Sequence, residues 1–275
     1  MKKKTKYKII FSDLDHTLLV NDHIPDFNLE AIKKAKEKGV KFVLCTGRNF
    51  KIMKHLLGEL NTENSENEYS ICNSGSLIYE NKNAKVIYSK PIEFEILKLL
   101  FEYGKKLDVI IMFDTITDEH FIYNEIKIEE SKWKSFKSKP IKSIEELKDK
   151  KINRIYFTIK DKDELNKTLN EIKNNKMLEG KITCFISGNM FLEIISFGLN
   201  KGEALKWLSN YLNIDIKETI AIGDDYNDES MLKEAGLSCC VKSAHDGIKK
   251  ISKYICEKDY FEGSVKEVIE KFILD

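Results

Sequence analysis

At 275 residues and 42% hydrophobic, the chain can bury a substantial core as one large or two modest domains. Its 46 Lys and Arg nearly cancel 45 Asp and Glu, and a net charge of +1 excludes whole-chain attraction to nucleic acid or to an anionic membrane surface. No apolar run approaches the roughly 20 residues that span a bilayer, so no membrane partner is expected.

The opening MKKKTKYK is basic, but IIFSDLDHTLLV after it is broken by two aspartates and lacks a small-residue cleavage site. A solubilising N-terminus leading into a strand is expected there, rather than a signal peptide. Strand is expected over Tyr7–Phe11, helix over Asn28–Lys38 ended by Gly39, and strand over Val40–Cys45. Helix over Arg48–Leu60, a polar loop over Asn61–Tyr69 and strand over Tyr69–Cys72 follow. Strands separated by helices of this length predict a right-handed, Rossmann-like parallel sheet.

The middle changes style. Leu77–Tyr79 and Lys85–Tyr88 flank Asn81, Lys82 and Asn83 as a hairpin. Helices over Ile92–Lys105 and Asp163–Asn174 then mix with strands near Val109–Phe113, His120–Tyr123, Ile152–Ile159, Ile182–Ser187 and Phe191–Ile195. Ser187, Gly188 and Asn189 read as the turn joining the last two. From Lys201 the alternating style returns, with helices over Lys201–Leu212, Asp228–Ala235, Ser243–Lys250 and Ser264–Ile273 and strands over Thr219–Gly223 and Ser238–Val241. The fold class is α/β: a parallel-sheet domain of residues 1–82 and 194–275, carrying an α+β insertion at 83–193.

Cys45, Cys72, Cys184, Cys239, Cys240 and Cys256 show no CxxC spacing, and most lie in apolar runs. They read as buried, reduced thiols of a cytoplasmic protein. The five histidines form no ligand grouping, which argues against zinc.

Four short segments carry chemistry, each just beyond an expected strand or at a helix start. Asp13 and Asp15 stand two apart after the first strand, at the sheet edge where open α/β folds bind ligands. Two carboxylates so close can divide nucleophile from proton donor. Asp161 and Asp163 share that spacing but precede a helix start, where capping explains them. Thr46, Gly47 and Arg48 follow the second strand and open a helix, a site for a phosphoryl group or simply an N-cap. Lys201 begins a helix, where the dipole disfavours a cation unless an anion faces it. Asp224, Asp225, Asn227 and Asp228 crowd the turn after Gly223, a density suited to a hard divalent cation.

Taken together, and in this order, DLDHT, CTGR, the lysine of NKGEAL and GDDYND resemble the motifs of the haloacid dehalogenase superfamily, within it the Cof-like sugar-phosphate phosphatases. The run FLEIISFGLNKGEAL is similar to that family's approach to its lysine, and the resemblance covers nearly the whole chain. It implies a hydrolase core with an inserted substrate-selecting cap, and a Mg2+-dependent phosphatase of small phosphorylated metabolites. Asp13 would form an aspartyl-phosphate, and Asp15 would serve as general acid and then base. Thr46 and Lys201 would hold the phosphoryl oxygens, with Gly47, Arg48 and Asn227 contributing to phosphate binding. Magnesium would be held by Asp13, the Asp15 carbonyl and Asp224, with Asp228 acting through water.

Three positions depart from the family pattern: His16 for a usual Gly, Ser74 for a common Asn, and Ser243 for a frequent Asn. A phosphomutase of the same superfamily and a non-catalytic phosphate sensor are the competing expectations. Phe113, Asp114, Tyr123, Arg154 and Glu193 are conceivable substrate contacts of the insertion, although strand aromatics are usually core. The sequence sets no oligomeric state.

Overall fold

The computed structural model describes residues 5–124, 138–188 and 190–275. The first four residues of the basic start and Asn189 of the expected turn lie outside them. The chain divides into two compact units, which change over between Tyr88 and Ser89 and again between Leu199 and Asn200.

In the larger unit, β1 (Ile9–Ser12) is buried along its whole length. That burial suits an interior strand of a parallel sheet, and its Ile-Ile-Phe run fits the role. It pairs in parallel with β2 (Lys41–Cys45) and β12 (Thr219–Gly223), Phe11 standing opposite both Val43 and Ala221. Outward on one side follow β13 (Leu237–Cys240) and β14 (Tyr254–Ile255). On the other come β3 (Tyr69–Cys72), β4 (Leu77–Glu80) and β5 (Lys85–Ser89). Only the β3–β4 pairing among those with a defined register is antiparallel.

Helices α1 (Asp26–Glu37) and α2 (Phe50–Glu59) carry the chain between the first strands. Helix α5 (Lys201–Tyr211) packs Ala204, Leu205 and Leu208 into one cluster with Ile9, Phe11, Val43 and Ile71. The later helices α6 (Glu229–Glu234), α7 (Asp246–Ile251) and α8 (Ser264–Ile269) complete the unit. One glycine fixes where α5 starts. Gly75 has φ +96°, and a Cβ there would lie 2.8 Å from the Lys201 nitrogen. Only a residue without a side chain lets that turn press against the first residue of α5.

In the smaller unit the strand order is β10 (Ile182–Ser187), β11 (Phe191–Ser196), β9 (Ile152–Thr158), β6 (Ile110–Thr115), β7 (His120–Tyr123) and β8 (Lys139–Pro140). One face buries Phe113, Ile155, Phe157 and Leu192 against Leu97, Leu100 and Phe101 of α3 (Phe94–Lys106) and Leu165 and Ile172 of α4 (Lys162–Lys173).

The changeovers fall about six residues later than the 82/83 and 193/194 boundaries read from the sequence. Pairing decides them. β5 stays beside β4 in the first sheet, and β11 pairs along its length with β9 and β10. Alternating apolar segments look alike whichever sheet they join.

Candidate active site

The ladder between β1 and β12 runs one residue past β1, because the Asp13 N–H donates to the Ile222 carbonyl at 2.9 Å. The Asp13 side chain therefore leaves the sheet at its carboxyl edge, only 6% exposed. Lys201 opens α5 behind its N-cap Asn200, whose side chain accepts the Glu203 N–H. It is buried, and its Nζ lies 2.5 Å from Asp13 Oδ1 and 2.6 Å from Asp228 Oδ1. The helix dipole disfavours a cation at that position, and the two carboxylates outweigh it.

Asp228 is engaged on both sides. Its Oδ2 accepts the backbone N–H groups of Asp224 and Asp225 at 3.0 and 3.3 Å, which curls the loop after β12 around it. Asp224 in turn accepts the Thr17 hydroxyl at 2.7 Å. Ligand atoms of Asp13, Asp224 and Asp228 lie within 4.8 Å of one another.

Three carboxylates thus face one ammonium, Asp13, Asp228 and Lys201 buried and Asp224 half-buried. Burial, then Asp228, pushes the Asp13 carboxyl well above its ordinary range, with Lys201 pulling the other way. Burial and Asp228 likewise push Asp224 up to about 6. Burial acts against the Lys201 ammonium, yet Asp13 and Asp228 outweigh it and hold the group charged.

The structure brings Asp13, Lys201, Asp224 and Asp228 into direct contact or near contact. Thr46 follows the last residue of β2, buried, its hydroxyl accepting the Arg48 N–H at 3.0 Å rather than hydrogen-bonding to Asp13 or Lys201. Its neighbour Cys45 lies within electrostatic reach of Lys201, Asp228 and Asp13, which places this strand end beside the cluster. Gly47 completes the turn. Helix α2 begins later than Arg48: Asn49 is the N-cap, accepting the Ile52 N–H at 2.9 Å. Arg48 is turned toward the Asp15 and Asp22 carboxylates, and the Asp15 side chain is more than half exposed. The Asn227 Oδ1 is buried without a hydrogen-bond partner.

Two of the departures from the motif pattern have a local geometry. His16 has φ +59° and Ser74 φ +57°, the left-handed region that Gly or Asn enters most readily. Ser243 donates to Asp259 at 2.5 Å. Thr17, the last residue of DLDHT, is a further residue of this site. Its signal was its place four residues after Asp13, where its hydroxyl meets Asp224.

The chain is similar to known proteins over most of its length. The family model for haloacid dehalogenase-like hydrolases matches residues 10–269. A 5-amino-6-(5-phospho-D-ribitylamino)uracil phosphatase of Bacillus subtilis is 28% identical over 262 residues, covering 95% of this chain and 94% of its own length. A putative phosphatase of Buchnera aphidicola is 31% identical over 252 residues, covering 89% and 90%. A haloacid dehalogenase-like hydrolase from Bacteroides thetaiotaomicron superposes with a TM-score of 0.80 at 27% identity, over 96% of this chain and 99% of the other. The chain belongs to the haloacid dehalogenase-like hydrolases. It is a phosphatase, a phosphoric monoester hydrolase.

Proposed function

We propose that the protein is a Mg2+-dependent, cytoplasmic phosphatase of small phosphorylated metabolites that works through an aspartyl-phosphate on Asp13. The observation that carries this reading is the Lys201 ammonium set between Asp13 and Asp228, with Asp224 beside them. An Asp13 oxygen attacks phosphorus and the ester P–O bond breaks, while Asp15 gives its proton to the leaving oxygen. Water then attacks the phosphorus, passes a proton to Asp15, and releases phosphate as the Asp13–phosphorus bond breaks. Lys201 steadies Asp13 and offsets charge on the phosphoryl oxygens, and Thr46, Gly47 and Asn227 complete their binding.

The donors fit magnesium. A buried cluster with more carboxylates than ammonium groups favours a hard cation with oxygen ligands, and the buried, unpartnered Asn227 Oδ1 is a further polar atom suited to such surroundings. Asp13, Asp224 and the Asp15 carbonyl would hold the ion. Asp228, committed to Lys201 and two backbone amides, would act from behind it. Bound there, magnesium would supply charge neutralisation for the transferring group.

We assign selection of the organic part of the substrate to the smaller unit. The named substrate of the Bacillus relative puts sugar and polyol phosphates first among compounds to try. The test is Asp13→Asn assayed on 4-nitrophenyl phosphate with magnesium. Turnover should vanish while the melting transition persists, and chelation should silence the wild type until magnesium is restored. Retained turnover in Asp13→Asn would end this reading.

A further inference from the structure

Arg48 ties together two loops of the larger unit. Its Nε and Nη2 donate to Oδ2 and Oδ1 of Asp15 at 3.0 and 2.5 Å, a fork-on-fork pair that fixes both position and plane. Its Nη1 donates to Asp22. Asp22 is braced in turn: it stands in a left-handed turn closed by the Val20–His23 bridge, and its carbonyl lies 3.0 Å from the His55 Nε2 of α2. Next door, Glu59 of α2 accepts the Ile24 N–H at 2.8 Å and lies 2.7 Å from the His23 ring. The guanidinium is therefore anchored by a folded loop and a helix, while the Asp15 carboxylate it holds is 54% exposed.

An exposed aspartate samples several rotamers, and ordering it before reaction has an entropic cost. A two-point grip removes that freedom, which a point-charge lysine cannot do. Arg48 is also poorly placed to attract a phosphate. Its one positive charge is matched by the Asp22 carboxylate even when Asp15 carries its proton, so the group offers an anion no net positive charge.

We propose that Arg48 is the positioning residue for Asp15, orienting the carboxyl group that protonates the leaving oxygen, and that it acts without binding the phosphoryl group. This rests on the acid–base role given to Asp15 above. Before transfer one of the two Arg48–Asp15 bonds opens and the freed oxygen takes up a proton from water, which it then gives to the leaving oxygen, while the other bond keeps the side chain in register. Asp22 keeps the guanidinium from following.

Two aryl-bearing esters separate this role from phosphate binding. Benzyl phosphate must expel an alkoxide and needs a proton donor, whereas 4-nitrophenyl phosphate expels a stabilised phenolate and scarcely does. General acid catalysis contributes about 10²- to 10⁴-fold. Arg48→Ala is therefore expected to lower kcat/KM on benzyl phosphate by at least about 10²-fold, but on 4-nitrophenyl phosphate by only a few-fold. Inhibition by inorganic phosphate should stay unchanged. Arg48→Lys should follow Arg48→Ala, Asp22→Asn should shift both substrates in the same sense by less, and added guanidinium should restore benzyl phosphate turnover to Arg48→Ala.

Equal losses on both esters, no loss on either, or weakened phosphate inhibition matching the loss would each overturn the proposal. The milder Asp22→Asn variant carries the comparison should Arg48→Ala not fold. Asp13→Asn, assayed alongside, separates the two readings. If it is active, the site reading fails; if it is inactive and Arg48→Ala does not discriminate, only the positioning role fails.

Discussion

Lys201 and Asp228 form a 2.6 Å ion pair in which neither side chain reaches solvent by more than 1% of its surface. A buried pair adds little over an apolar isostere, but removing one partner strands the other charge at a cost of about 3–5 kcal/mol. Because Asp13 still pairs Lys201, Asp228→Ala is expected to cost less than that, about 1–3 kcal/mol, chiefly by freeing the Asp224 and Asp225 amides. Asp228→Asn keeps an acceptor oxygen and should lose less. Urea denaturation of the two variants checks the order. If alanine is no worse than asparagine, Asp228 does not organise this loop.

The turn after β12 is shaped by a missing side chain. A Cβ on Gly223 would come within 2.6 Å of the Asp228 Cβ and Cγ. Such contacts are not accommodated without a shift, and the shift would draw Asp228 off Lys201. Gly223→Ala should therefore destabilise the protein by about 1–3 kcal/mol and lower kcat more than tenfold. The comparison is with Gly180→Ala, where no atom lies within 4 Å of the added carbon, although φ +67° makes that change a modest strain of its own. Activity in Gly223→Ala equal to that of the Gly180→Ala control would show that the loop tolerates displacement of Asp228.

Much of this site could be read along the chain because each segment is local: a strand ends, and chemistry follows within a few residues. Asp13, Thr46 and Asp224 each stand next to the last residue of a strand that its apolar run identifies. Lys201 was legible only as an anomaly, a cation at a helix start, and its partner Asp13 lies 188 positions away. The pairing of Arg48 with Asp15 was not legible. It depends on Asp22, which sits in a turn of left-handed residues that pattern does not reveal. Nor did periodicity show that Asp114, Arg154 and Glu193 form one buried charge network, for each appears simply as a polar residue in an apolar strand. Of the five side chains raised as conceivable contacts of the insertion, Phe113 belongs to the packed core. The two-residue strands β8 and β14 are too short for any period to register.

That network gives the smaller unit a pH dependence. His120 Nδ1 lies 2.7 Å from Asp114 Oδ1, while Arg154 and the Tyr156 hydroxyl hold the other Asp114 oxygen at 2.7 Å. The Asp114 bond raises the His120 value above its ordinary 6.5 against the effect of burial, Asp118 adding to it and Arg154 opposing. Burial works against the Asp114 charge, but Arg154 and His120 outweigh it and leave that carboxyl below its ordinary 3.8. The histidine's contribution is therefore complete below 6.5 and is lost as pH rises through its higher folded value. The aspartate's is complete above 3.8 and is lost as pH falls through its lower folded value. Between those limits the pair is at full strength. Hydrogen exchange of β6 and β9 should accordingly report a more stable sheet at about pH 6 than at about pH 8.5, beyond the intrinsic rate change. His120→Asn keeps a hydrogen-bond donor without a titrating charge, and it should flatten that difference. An equal pH slope in the wild type and His120→Asn would mean that the histidine is a bystander and that some other group titrates in this range.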